Sequence, residues 1–193
     1  MFHAPGGYKS LSSLRLLAIA LAALLILALQ PAYALAQSAT GNPSGLPLPR
    51  FVTTRSTPIN VRVGPGTKYD IAWVYVKAGL PVEIVQEFDT WRKIRDLDGS
   101  EGWVHQNLLS GGRAGYVAPW SSGQQIPLRS KAAEEAGVRA YLTSGFRVEI
   151  SKCDGAWCEV SATDHPANGR PTTYTGYLPQ GDLWGVYQGE KFD

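Results

Sequence analysis

The sequence predicts an all-β protein: two small β-barrels in tandem behind a cleaved export signal. Between Asn60 and Leu108, four short β-type runs are separated by turn residues, with no stretch long enough for a sizeable helix. The landmarks of that stretch return downstream at matched spacing. Ahead of both lies a basic start, a short apolar run and a small-residue site.

Composition agrees. The chain has 193 residues, room for one or two domains, and its 44% hydrophobic content supports packed cores. Its 21 glycines and 13 prolines follow no period, which marks a turn-rich β protein and not a collagen. The formal charge of +2 comes from the N-terminus. Residues 1–36 hold Lys9 and Arg15 and no acid; without them 16 basic side chains face 16 acidic ones. A neutral domain has no overall field to hold a polyanion, so nucleic acid is excluded as the expected partner.

In chain order, Lys9 and Arg15 precede fourteen apolar residues, Leu16 to Leu29. Small residues follow at Ala32-Tyr33-Ala34 and Ala34-Leu35-Ala36. This predicts a secretory signal peptide over 1–36, cut after Ala36 or, alternatively, after Ala34. The apolar run is short of the roughly 20 residues a spanning anchor needs. Contact with the membrane is therefore expected only in transit. Residues 37–50, rich in Ser, Gly, Pro and Asn, read as a flexible linker.

The first domain is expected over 51–111. Ile59, Val61 and Val63 alternate with Asn60 and Arg62, and Val82 and Ile84 flank Glu83. Trp91 to Arg95 forms a strand, Asp98-Gly99 a turn, and Gly102-Trp103-Val104 the return strand. With Ile94 and Val104 inward, parity sends Trp91 and Trp103 outward as hairpin neighbours. A linker is expected over 112–120, a second domain over 121–187 and a tail over 188–193. In the second domain Ile126-Pro127-Leu128-Arg129 matches Ile59-Asn60-Val61-Arg62, and Gly176-Tyr177-Leu178 matches Gly102-Trp103-Val104. Gly79 to Trp91 and Gly145 to Trp157 are both steps of twelve. Two departures are expected: a helical turn within 130–137, and a polar loop from Thr163 to Thr175.

Cys153 and Cys158 flank a four-residue turn, so the strands leaving it can hold them at disulfide distance, and export favours oxidation. The competing reading is a catalytic thiol with His165 as base. No paired Cys-x-x-Cys arrangement, P-loop, dinucleotide fingerprint or Gly-x-Ser-x-Gly is present, and no metal or cofactor is expected. Asp96, Asp98 and Glu101 crowd one hairpin and read as turn chemistry, against a carboxylate pair for glycoside cleavage. The remaining signal is aromatic: Tyr69, Trp73, Tyr75, Trp91, Trp103 and His105 gather in the first repeat. A surface for sugars or extended peptides and the ordinary packing of a small barrel both account for it.

Asn60-Val61-Arg62-Val63-Gly64-Pro65, Gly79-Leu80-Pro81-Val82-Glu83, Trp91-Arg92-Lys93-Ile94 and Gly99 to His105 together resemble the bacterial SH3-like domains of exported Gram-negative proteins. Residues 116–187 resemble them more loosely. The resemblance implies five- or six-stranded SH3-like barrels and a non-catalytic targeting module, whose relatives bind peptidoglycan or its peptides. The expectation is thus a periplasmic or secreted, non-enzymatic envelope protein. Its ligand surface would comprise Arg62, Tyr69, Trp73, Trp91, Trp103 and His105. The alternative is a protein–protein adaptor or structural accessory of the periplasm, with no affinity for the wall.

Overall fold

The computed structural model describes residues 42–193. The expected signal peptide, its cleavage sites and the start of the first linker lie outside them. The regular structure of the described chain is strand, apart from two 3-10 turns, Gln106–Leu108 and Gln180–Asp182.

The first barrel contains β1 (Arg50–Thr54), β2 (Ile59–Arg62), β3 (Ile71–Tyr75), β4 (Pro81–Phe88), β5 (Trp91–Arg95), β6 (Glu101–His105) and β7 (Leu109–Ser110). They form one sheet in the order β3-β2-β6-β5-β4-β1-β7. A 3-10 turn, Gln106–Leu108, swings the chain from β6 back to β7 beside β1. The alternation read in the sequence is the alternation in space: Ile59, Val61, Val82, Ile84, Ile94 and Val104 fill one core with almost no exposure. Each such side chain stabilises the fold by about 1.5–3 kcal/mol relative to an exposed one.

The second barrel repeats this order. Its strands are β8 (Arg113–Val117), β9 (Gln125–Arg129), β10 (Val138–Thr143), β11 (Arg147–Asp154), β12 (Trp157–Asp164), β13 (Thr172–Pro179) and β14 (Leu183–Trp184). The sheet runs β10-β9-β13-β12-β11-β8-β14, and a short β15 (Lys191–Phe192) adds to β11. A separate core of Leu128, Val148, Val160, Leu178 and their neighbours fills it. Register makes the repeat residue-specific. Ile94 faces Gly102 as Val160 faces Gly176, and Arg62 faces Trp103 as Arg129 faces Tyr177. The two glycines let a neighbouring strand close in: a Cβ on Gly102 would strike Val61, and one on Gly176 would strike the Arg129 carbonyl.

Four expectations change. Most of the expected linker 112–120 is β8, the first strand of the second barrel, paired with β11 and β14. Its flanking glycines read as a loop, yet Gly115 is there because its Cβ would lie 2.8 Å from the Trp184 carbonyl oxygen. The expected tail contributes β15, tied down by Glu190 on Arg113. The polar stretch Thr163 to Thr175 is strand at both ends, with pairs running out to Asp164 opposite Thr172, and only residues 165–171 remain loop. Residues 130–137 form bends and a turn and no helix. At the other end, the first linker is anchored where Ser44 donates through its amide and hydroxyl to Glu87.

Only Gly111 and Gly112 separate β7 from β8, and the barrels pack against one another. The Phe51 ring meets Trp184 edge-on at 5.1 Å and Tyr187 at 4.9 Å. The Tyr187 hydroxyl donates to Glu83 at 2.7 Å, and Arg147 Nε donates to the Gly79 carbonyl at 2.5 Å.

Candidate functional site

The β4–β5 hairpin is the best-supported display surface in the first barrel. Cross-strand partners share a face, and the register pairs Phe88 with Trp91 and Trp91 with His105. These three rings form an outward row across β4, β5 and β6. Trp91 meets His105 edge-on, with centroids 5.6 Å apart. Phe88 is 58% exposed, a costly place for a phenyl ring that is only packing.

A buried charge cluster beneath holds the row in place. Parity turns Glu87 and Arg92 inward as partners, and the Glu87 side chain has no exposure. Glu87 accepts from Arg50 at 2.5 Å and forms an ion pair with Arg92, Nε lying 3.2 Å away. Burial alone would raise its carboxyl pKa. The Ser44 hydroxyl and amide and the Arg50 guanidinium outweigh that and hold it below the ordinary value. Arg92 also donates to the Asp89 and Trp91 carbonyls and to Gln106, fastening the hairpin turn to the 3-10 turn after His105. These contacts tie the hairpin turn, β5 and the 3-10 turn together beneath the row.

The residues expected as one groove divide among three jobs. Trp91 and His105, both half-buried, belong to the outward row; His105 also accepts the Asn107 amide through Nδ1. Trp103 shares their outward face, as parity required, but is only 8% exposed. It stands on the inner strand β6 between Arg62 and Lys93, whose long stems flank it. Trp73 pairs with the inward Val61, packs on the core and meets Tyr75 edge-on, closing one end of the barrel. Arg62 and Tyr69 brace the loop between β2 and β3. Arg62 donates to the Tyr69 carbonyl at 2.7 Å, and the Tyr69 ring covers Gly64 so closely that a Cβ there would come within 2.6 Å. Arg129 repeats the brace on the Ala136 carbonyl at 3.1 Å. The expected ligand surface of Arg62, Tyr69, Trp73, Trp91, Trp103 and His105 is thus not assembled as one face. Phe88 is the residue the sequence reading missed. Its signal was present in Phe88-Asp89-Thr90-Trp91, a two-residue hairpin whose flanking aromatics must face one another.

The other chemical candidates resolve as structure. Cys153 and Cys158 are disulfide-bonded across β11 and β12, so neither thiol is free to act with His165. Asp96 accepts the Asp98 and Ser100 amides, and Glu101 pairs with Lys93 and Arg95. No group of three or more His, Cys, Asp or Glu among the described residues could hold a metal ion.

Two curled antiparallel sheets of this order, with a 3-10 turn before the last strand, define a tandem of small SH3-like barrels. The family described as Bacterial SH3 domain matches residues 55–111 and 122–185, one segment per barrel, and the chain belongs to that family. Comparison with curated proteins finds no match. Among solved structures, the chain is similar to NlpC2 from Trichomonas vaginalis at 11% identity, covering 70% of this chain and 48% of that one. It is similar to NlpC1 from the same organism at 12% identity, covering 76% and 47%. The TM-score is 0.29 for each, and the chain spans about half the length of both, so neither likeness carries an argument about activity.

Proposed function

We propose that this protein is an exported, non-catalytic binding module of the cell envelope that recognises peptidoglycan or its peptides. The observation that carries the reading is the outward row Phe88–Trp91–His105, with Phe88 exposed and the other two rings half-buried, on a hairpin locked from below by Glu87 and Arg92. Flat aromatic faces with a polar ring beside them suit the alternating apolar and hydroxylated surface of a glycan, or an extended peptide. Membership of the bacterial SH3 domain family supports a binding role. The disulfide supports an oxidising compartment, in keeping with the export signal expected over 1–36. The second barrel, docked through Phe51, Tyr187 and Arg147, holds the first at a fixed angle. Co-sedimentation of residues 37–193 with purified sacculi at moderate salt tests the reading: saturable binding supports it, and protein left in the supernatant removes the wall as ligand.

A further inference from the structure

The two barrels differ most at one end, and each shows what the other lacks. In the first barrel that end is closed by Trp73 and by Tyr75, whose hydroxyl donates to Asp96 at 3.1 Å. Register places Ala140 where Trp73 stands: Ala140 faces Leu128 as Trp73 faces Val61. By the same register Leu142 replaces Tyr75 and Ala162 replaces Asp96. An indole and a hydrogen-bonded tyrosine–aspartate pair give way to two alanines and a leucine. Phe146, where the first barrel has Leu80, packs on the core and takes back only part of that space. A cavity of about 310 Å³ opens there, floored by Ala140, Leu142, Phe146 and Ala162. The corresponding end of the first barrel keeps a cleft of about 160 Å³.

The extended β12–β13 hairpin builds the rim. It carries Tyr174 and Asp164 past the length of the first barrel's hairpin, and Tyr141 on β10 stands at the same opening. Tyr141 is 62% and Tyr174 41% exposed. An apolar floor, the accessible phenol ring of Tyr174 and one carboxylate at the mouth are the features of a small-ligand site.

We propose that this open end of the second barrel binds a planar aromatic group of indole size. The protein supplies the argument for shape, since the first barrel fills the matching position with its own indole. Tyr174, opposite Ala162, would flank the ring, and Asp164 would meet an N–H at the mouth. Free indole and a tryptophan side chain borne by a peptide share this chemistry. The inference does not depend on the wall ligand, because no residue of the Phe88–Trp91–His105 row takes part.

The test is a titration of isotope-labelled residues 37–193, followed by amide shifts, with indole, N-acetyl-L-tryptophanamide and N-acetyl-L-leucinamide as probes. Saturable shifts confined to residues 138–146 and 160–176 with the first two probes are expected. Indole stronger than the amide points to a free aryl ligand, and the reverse to a peptide-borne ring; either supports the site. Ala140→Trp installs the first barrel's own plug and should weaken binding by about tenfold or more. Ala140→Leu is the milder plug if the tryptophan variant does not fold. Shifts equal with the leucine amide, no saturable shifts, or binding undiminished in a folded plugged variant would overturn the proposal.

Discussion

Cys158 holds in the second barrel the position that Arg92 holds in the first. Cys153 correspondingly replaces Glu87, so a covalent bond stands where its sister barrel has a buried ion pair. Both cross-links pin the same hairpin register, by different physics. Removing Glu87 takes the carboxylate partner from the Arg50 and Arg92 guanidinium groups, at a cost of about 3 kcal/mol. Removing the disulfide frees a very short loop, at about 2 kcal/mol. Urea unfolding of Glu87→Ala and of the Cys153→Ser, Cys158→Ser double variant should rank them in that order.

The acid limb of stability should be set partly by Glu87 and Glu190. Burial raises both carboxyl pKa values; for Glu87 the Ser44 contacts and Arg50, and for Glu190 Arg113 and the Tyr187 amide, outweigh it and leave both below the ordinary 4.5. A depressed folded pKa contributes stability that is present above the unfolded value and lost as pH falls through the folded one. Urea midpoints should therefore decline below pH 4.5, and Glu87→Gln should flatten that decline.

At the junction the sign reverses. Burial first, then the Glu83 carboxylate, pushes the Tyr187 hydroxyl well above its ordinary 10.0. Its contribution is complete below that value and disappears as pH rises through the raised one. Tyr187→Phe should cost about 1–2 kcal/mol at neutral pH, since it deletes one hydrogen bond to a charged acceptor. Amide exchange should quicken in β1 and β14 of that variant, with the barrel cores unchanged.

Gly79 is the backbone half of the same junction. Its φ of +72° disfavours any side chain, and a Cβ would lie 2.6 Å from Arg147 Nη2. Gly79→Ala should destabilise the tandem by about 1–2 kcal/mol and release Arg147. Gly145, at the matching place in the second barrel, has nothing within 4 Å of its Cβ position, so Gly145→Ala should show the backbone cost alone. The difference between their unfolding midpoints measures the Arg147 contact.

Much of this fold could be read from Ile59, Val82, Ile94 and Val104, because strand periodicity and burial are one fact seen twice. The repeat could be read from Gly102 and Gly176, whose missing side chains are demanded by strand approach. β8 could not, because Gly112 and Gly115 signal a loop unless one knows that the Trp184 backbone lies against Gly115. At the site, parity placed Trp91 and Trp103 on one face correctly. It could not say that Trp103, on an inner strand between Arg62 and Lys93, would be covered while Trp91 stayed reachable. Trp73 misled for a related reason: an aromatic cluster in sequence does not reveal which rings close the barrel's end.

The central claim is that the Phe88–Trp91 face binds the wall. Its most direct test compares sacculus co-sedimentation of residues 37–193 with that of the Phe88→Ala, Trp91→Ala variant at matched thermal stability. Saturable binding by the parent and its loss in the variant is the predicted result. Equal sedimentation of the two proteins, or none by the parent, would contradict it.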